Sequence, residues 1–244
     1  MQTHPEEEIG RWLIQKKLYL VTAESCTGGL IGDRVTNVPG SSDYYLGGVV
    51  TYSNQTKIDL LGVHEPTLQK YGAVSCEIVL EMAQGVRRLF ASPSHGHETV
   101  GLSISGVAGP AGGTKEKPVG LAWIGLSAPD GDWAWKIMGT GDRLANKTFS
   151  ADQALHYLLA VLSGKKPSPT LDVFTRSSPK GEEIPTRLIW NGEVFEIADI
   201  GRHWHDELGE HWLVMNPSAK TARLTRLPTG AWSLSSIAPG RKPA

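Results

Sequence analysis

The run Leu18-Tyr-Leu-Val-Thr-Ala-Glu-Ser-Cys-Thr-Gly-Gly29 constrains this chain more than any other stretch. An apolar segment stops at small hydroxyl, thiol and glycine residues, and Leu30-Ile31 then opens a helical pattern. That order predicts a strand feeding a tight turn and a helix N-terminus, with Ser25, Cys26 and Thr27 at the junction. The first turn of a helix presents unpaired N–H groups and positive dipole potential, so it attracts anions and can stabilise an oxyanion. Gly28 and Gly29 remove side chains that would block a ligand. An ordinary alternative is that Ser25 or Thr27 simply caps the helix.

The remaining pattern alternates helices with strands. Residues 6–17 read as a helix with Ile9, Trp12 and Leu13 on one face. Residues 44–53 read as a glycine-interrupted strand, followed by a short helical piece around Lys57 to Leu61. Ser75 is placed to cap a long helix in which Val79, Met82, Ala83, Val86, Leu89 and Phe90 recur at three- and four-residue spacings. Strands are expected at 99–105, 118–127 and 132–138, and a last helix from Arg143 to Ser163, stopped by Gly164 and Pro167. The expected fold class is α/β: a three-layer α/β/α sandwich over residues 1–164. Its sheet is mixed, because the late strands follow one another without helices between them. Residues 165–185 carry Pro167, Pro169, Pro179 and Pro185 and read as a linker. Residues 186–244 read as a small β-rich module of about five strands. Asn191-Gly192 is a hairpin signal there, and Trp190, Trp204, Trp212 and Trp232 supply a core.

Composition narrows the function classes. A chain of 244 residues with 40% hydrophobic and 20% charged residues builds an ordinary globular core, and its net charge of −1 argues against a nucleic-acid or anionic-membrane partner. Cys26 and Cys76 are the only cysteines, too few for a disulfide framework or a zinc site, so a reducing cytoplasm is the expected compartment. No apolar run reaches the ~18 residues of a membrane span.

Other segments offer chemistry. Ser105-Gly-Val-Ala-Gly-Pro-Ala-Gly-Gly-Thr114 can expose backbone N–H groups to phosphate, although it lacks the P-loop ending and the dinucleotide fingerprint. Arg143 can grip a phosphate or carboxylate, or be merely solvated. Lys57 is a base only if burial or a positive field lowers its pKa, and a serine–lysine pair would then do what serine–histidine does elsewhere. Cys26 competes with Ser25 as nucleophile, since a thiol at a helix N-terminus ionises readily. His203, His205 and His211 lack a convincing further ligand for a metal.

Taken together and in order, several segments resemble the CinA C-terminal domain family of competence/damage-inducible proteins, whose members include nicotinamide-nucleotide amidohydrolases. They are Thr22–Gly29, Val38–Ser42, Gly47–Asn54, Gly72–Ser75, Ser105–Pro110, Gly112–Thr114 with Lys117–Gly120, and Gly141–Arg143. The resemblance covers about residues 5–164. It implies hydrolysis of the carboxamide of nicotinamide mononucleotide to nicotinate mononucleotide and ammonia, with no metal or other cofactor. It makes Ser25 the nucleophile and Lys57 its base, with Tyr52 and Ser42 in the surrounding hydrogen-bond network. The amides of Thr27, Gly28 and Gly29 would meet the substrate at the helix start. The segment holding Ser105, Gly106, Gly109, Gly112 and Gly113, together with Arg143, would hold the nucleotide through its phosphate. The expected partner is thus a small nucleotide, in a homo-oligomer, without nucleic acid or membrane. The larger N-terminal domain of some relatives is not expected, because the motif begins near residue 20. Ala111 stands where many relatives have glycine, and Leu144–Phe149 replaces an acidic, arginine-rich turn, with Lys147 in place of a second arginine. Those departures leave open a nucleotide-binding or regulatory module with little or no catalysis.

Overall fold

A computed structural model describes residues 4–91, 98–164, 171–179, 181–190, 193–207, 209–226 and 232–239. The chain forms two compact units, residues 1–167 and 168–244. In the first, helix α1 (Pro5–Lys16) leads into β1 (Leu18–Glu24), α2 (Leu30–Thr36), a 3-10 turn (Ser41–Asp43) and β2 (Tyr45–Val50). Then come α3 (Asn54–Leu61), α4 (Glu65–Tyr71), α5 (Cys76–Leu89), β3 (Glu98–Gly106), β4 (Leu121–Ala128), β5 (Gly131–Met138) and α6 (Arg143–Leu162). Strand β1 lies parallel to β2 on one side and to β3 on the other, and β3, β4 and β5 continue as antiparallel neighbours. The sheet is mixed, as its order of elements predicts.

Alternation along β1 explains the three layers. Leu20 faces one core, with Ile9, Leu13, Ile31, Leu102, Ile104, Leu155 and Leu158 from α1, α2, β3 and α6. Val21 and Ala23 face the opposite core, with Leu61, Leu68, Ile78, Met82 and Val86 from α3, α4 and α5. A strand covered on both faces is mostly apolar, which is why 18–23 reads as a nearly continuous run, its one polar member Thr22 being buried with its hydroxyl bonded to Tyr45 OH. Helix α5 begins where Ser75 predicts, its hydroxyl accepting the Ile78 N–H at 3.4 Å. Helix α4 was not expected; it carries Pro66 in its first turn, which suits a helix start, but at seven residues it is too short to show a period.

The second unit holds β6 (Leu171–Ser177), β7 (Glu183–Trp190) and β8 (Glu193–Glu196), paired antiparallel. Strands β9 (Asp199–Asp206), β10 (Gly209–Met215), β11 (Lys220–Arg226) and β12 (Trp232–Pro239) form an antiparallel sheet. Leu188, Phe195, Trp212, Val214, Ala222 and Leu224 make its core, with Trp190 and Trp232 packed against them. Two readings are corrected. The stretch 165–185 is not linker throughout, because Leu171–Ser177 and the start of β7 are strands that pair with each other even with Pro185 inside β7, opposite Thr175 at a shift of register. The run 193–200 divides into β8 and the start of β9, and with β6 added the described residues of the second unit form seven strands, where about five were expected over 186–244. Asn191 and Gly192 lie outside the described residues; Trp190 and Glu193 on either side pair in register. His211 is held by Asp206 and Thr225, and among the described residues no group of three or more His, Cys, Asp or Glu side chains is placed to hold a metal.

Candidate active site

Parallel neighbours end at the same edge of a sheet, so the residues following β1 and β2 are brought together. Ser25 follows β1, and its N–H donates to the Ile104 carbonyl at 3.0 Å. Thr51 follows β2, its N–H bonded to the Glu24 carbonyl. The chain turns at Ser53, whose hydroxyl caps α3, and the first turn of α3 carries Lys57 back under the edge. Lys57 is only 1% exposed. Its Nζ lies 3.1 Å from Ser25 Oγ, 2.7 Å from the Thr51 carbonyl and 3.5 Å from the Tyr52 carbonyl. Burial pulls the Lys57 amine down from 10.5 to about 8, because an ammonium without a carboxylate partner is costly out of water. A neutral amine there has two N–H groups for the two carbonyls and a lone pair for the Ser25 hydroxyl proton.

Cys26 does not share this chemistry. Its thiol is buried and pushed up to about 12, by desolvation first and by the Glu24 charge as well. The helix N-terminus that was expected to ionise it begins further along. Ser25 to Gly29 form a turn, and α2 starts at Leu30 with Gly29 as N-cap in the left-handed region, φ 99°. The tight turn and the helix opening at Leu30 are as the sequence predicts, but Ser25 and Cys26 lie before the helix N-terminus and not in its first turn. The anion at that N-terminus is internal: the Glu24 carboxylate accepts from Thr27 Oγ1 at 2.6 Å, Gly29 N at 2.9 Å, Ile31 N at 3.1 Å and Gly32 N at 2.8 Å. The Thr27 hydroxyl and the Gly29 amide are therefore committed to Glu24, and the Gly28 amide to the Ser25 carbonyl. Among the described residues the amides of Cys26 and Thr27 have no carbonyl partner. The sequence signal for Glu24 was present, a carboxylate ending an apolar strand, but its target was not.

Ser42 is the residue the structure takes away. It sits exposed in the 3-10 turn before β2, whose first residue Tyr45 is level with Leu20. Ser25 lies five residues further along β1, roughly 17 Å away at ~3.3 Å per residue. Ser42 thus belongs to the opposite edge of the sheet, out of reach of the dyad within one chain. Tyr52 stays nearby, but its ring is 61% exposed and its hydroxyl accepts from Arg143 Nη2 at 2.8 Å rather than meeting Ser25 or Lys57.

The glycine-rich segment divides in two. Ser105 and Gly106 are the last residues of β3, paired with Trp123 and Ala122, so they are not part of an open cradle. The loop proper starts at Val107. Gly109 takes φ 87° with its Cβ position filled by Val119, which only glycine allows. Its carbonyl accepts from Arg143 Nη1 at 2.6 Å. Gly112 and Gly113 are exposed on the same loop. Arg143 therefore bridges Gly109 and Tyr52 across the mouth of the site, with further N–H groups to spare. Lys147, one turn later on α6, points its Nζ at the turn, 3.6 Å from where a Cβ on Gly28 would be. Asn146, absent from the sequence reading, is buried between them.

The model of the CinA C-terminal domain matches residues 2–162. A CinA-like protein of Desulfosudis oleivorans is 57% identical over 154 residues, which are 63% of this chain and 36% of that protein. Another CinA-like protein, from Desulforapulum autotrophicum, is 51% identical over 152 residues, 62% of this chain and 34% of that one. The chain thus spans little more than a third of the length of these curated relatives. Among solved structures, a CinA superfamily protein from Klebsiella pneumoniae superposes with a TM-score of 0.61 at 31% identity, covering 67% of this chain and 99% of that one. The competence/damage inducible protein CihA from Agrobacterium tumefaciens gives 0.57 at 36% identity, over 67% of this chain and 98% of that one. No helix among the described residues is long and apolar enough to cross a membrane. The chain belongs to the CinA C-terminal domain family.

Proposed function

We propose that this chain hydrolyses the carboxamide of nicotinamide mononucleotide, giving nicotinate mononucleotide and ammonia. One observation carries the reading: a lysine amine buried without a carboxylate and 3.1 Å from a serine hydroxyl at the end of a parallel strand. In the proposed reaction Ser25 Oγ attacks the carboxamide carbon as Lys57 Nζ takes its proton. The oxyanion is received by the amides of Cys26 and Thr27, since those of Gly28 and Gly29 are spent; one such donor is worth about 3 kcal/mol in the barrier. When the C–N bond breaks, the Lys57 ammonium returns the proton to the departing ammonia. Water, deprotonated by the same amine, then resolves the acyl-serine. Tyr52 is not used as a proton relay, because its hydroxyl is held by Arg143. Arg143 with the Gly109–Gly113 loop holds the phosphate, remote from the bond that breaks, so its binding energy serves positioning.

The test is ammonia release from nicotinamide mononucleotide by the full chain. Ser25→Ala and Lys57→Ala are each expected to lower kcat by about a thousandfold or more. Below the amine's pKa of about 8, kcat/KM rises roughly tenfold per pH unit, because the neutral amine is the active form, and it levels above. Undiminished turnover in either variant refutes the assigned roles, and tight nucleotide binding without ammonia refutes the activity.

A further inference from the structure

Two consecutive carbonyls of the glycine-rich loop are held by two side chains from one turn of α6. Arg143 takes the Gly109 carbonyl, and Asn146 Nδ2 donates to the Ala108 carbonyl at 3.1 Å. The second Nδ2 proton goes to the Gly141 carbonyl at 2.9 Å, and Oδ1 accepts the Gly141 N–H at 3.1 Å. Residues three apart on a helix share a face, so both side chains reach the same loop. Asn146 is 2% exposed and its amide is satisfied in three directions. Two neighbours are acceptors and one is a donor, which fixes the orientation of the amide: reversed, its oxygen would face both carbonyls. Gly139 makes the space, since a Cβ there would meet Asn146 Oδ1 and Cγ.

The consequence reaches Arg143. It projects from the exposed first residue of α6, where among the described residues the Gly109 carbonyl and the exposed Tyr52 hydroxyl are the hydrogen-bond partners that orient its guanidinium. Neither is a rigid anchor unless the loop itself is fixed relative to the helix. Asn146 supplies that fixture on both sides of Arg143, to the loop at Ala108 and to the chain entering the helix at Gly141. We propose that Asn146 is a positioning residue that sets where the Arg143 guanidinium sits, and thereby sets how strongly the site prefers a 5′-phosphorylated nucleoside amide over the unphosphorylated one. This rests on the amidohydrolase reading above for its kinetic form, and on Arg143 as the anion contact.

The experiment compares kcat/KM for nicotinamide mononucleotide and for nicotinamide riboside. Their ratio, the phosphate preference, is measured in the full chain, in Asn146→Asp, Asn146→Ala and Arg143→Met, and in the double variant Asn146→Ala/Arg143→Met. Asn146→Asp is nearly isosteric, accepts from Gly141 N–H, and sets a negative oxygen against the Ala108 and Gly141 carbonyls; Asn146→Ala removes all three bonds. The preference is expected to fall about tenfold or more in both, and the double variant to show no smaller preference than Arg143→Met alone. Thermal unfolding of each variant is recorded alongside. A lowered midpoint with the preference intact makes Asn146 merely structural and overturns the proposal, as does a double variant whose losses simply add. Should the full chain release no ammonia, the amidohydrolase reading fails on its own, and calorimetry with nicotinate mononucleotide and nicotinic acid riboside decides the positioning role by the same ratio. Equal loss of affinity for both ligands in Asn146→Ala then overturns it.

Discussion

Replacing Lys57 by methionine tests the buried amine without reference to any substrate. Unfolded, the side chain titrates near its ordinary 10.5; folded, burial brings it to about 8. Each tenfold change in proton affinity is about 1.4 kcal/mol, so holding the ammonium form inside withholds about 3 kcal/mol of stability at pH 7. Between pH 8 and 10.5 the unfolded chain binds a proton that the folded chain has released. Stability therefore rises with pH through that window, and the penalty is complete below it. The wild type is expected to recover about 2 kcal/mol between pH 7 and pH 10 that Lys57→Met, with nothing to titrate, does not. Tyr44, Tyr45 and Lys117 are also shifted, but they titrate in both proteins and cancel in the difference; Cys26, pushed up to about 12 and electrostatically linked to Lys57, loses stability with rising pH in both, so the comparison is read as the difference between the two curves. The absolute gap at one pH is not diagnostic, since methionine also strips the Thr51 and Tyr52 carbonyls of their donor. Urea unfolding at pH 7, 8, 9 and 10 gives the slope directly. Parallel curves for the two proteins would refute the argument that this amine is held near neutrality by desolvation.

Glu24→Gln is expected to destabilise the first unit by about 2–4 kcal/mol, measured by urea unfolding at pH 7, because four donors converge on its oxygens and an amide NH2 would confront some of them. A loss under ~0.5 kcal/mol would mean that the carboxylate is not the cap of α2. The Thr51 hydroxyl is fully buried and has no partner among the described residues. Thr51→Val keeps the shape and should stabilise by about 1 kcal/mol in the same assay; destabilisation would reveal a hydrogen bond that the protein atoms do not provide.

Elements with long periods or two buried faces were legible in the chain. Helix α5 shows its stripe and its cap at Ser75, and β1 shows its burial as a mostly apolar run. The meeting of Ser25 and Lys57 was accessible only through resemblance, because nothing in a 32-residue separation says that β1 and β2 are parallel neighbours. The same missing topology misplaced Ser42, which lies close to Tyr52 in sequence but at the far end of β2. Strand β3 ends at Gly106, one residue beyond the expected 105, because composition marks a glycine-rich loop but not the residue at which a ladder ends. Asn146 gave no signal at all, since a polar residue in the first turns of a helix is ordinarily solvated. Its burial depends on Gly139 and on carbonyls 38 and 5 residues away in sequence.

The turn after β1 solves two electrostatic problems with one carboxylate. Glu24 and Lys57 are both near enough to act on the Cys26 thiol, one raising its pKa and the other lowering it, yet no ion pair joins them. A carboxylate free to reach Lys57 would hold the amine protonated and deny it the role of a base. Committing Glu24 to the amides of α2 keeps its charge directed away from the amine, and it also fills the helix N-terminus that an anionic ligand would otherwise take. Cations near the turn come from another element, α6, which presents Arg143 in its first turn and Lys147 one turn later. Internal capping at α2 and the unpaired Lys57 are in that sense one arrangement: the carboxylate is satisfied by backbone donors, and the amine is left without a counter-charge.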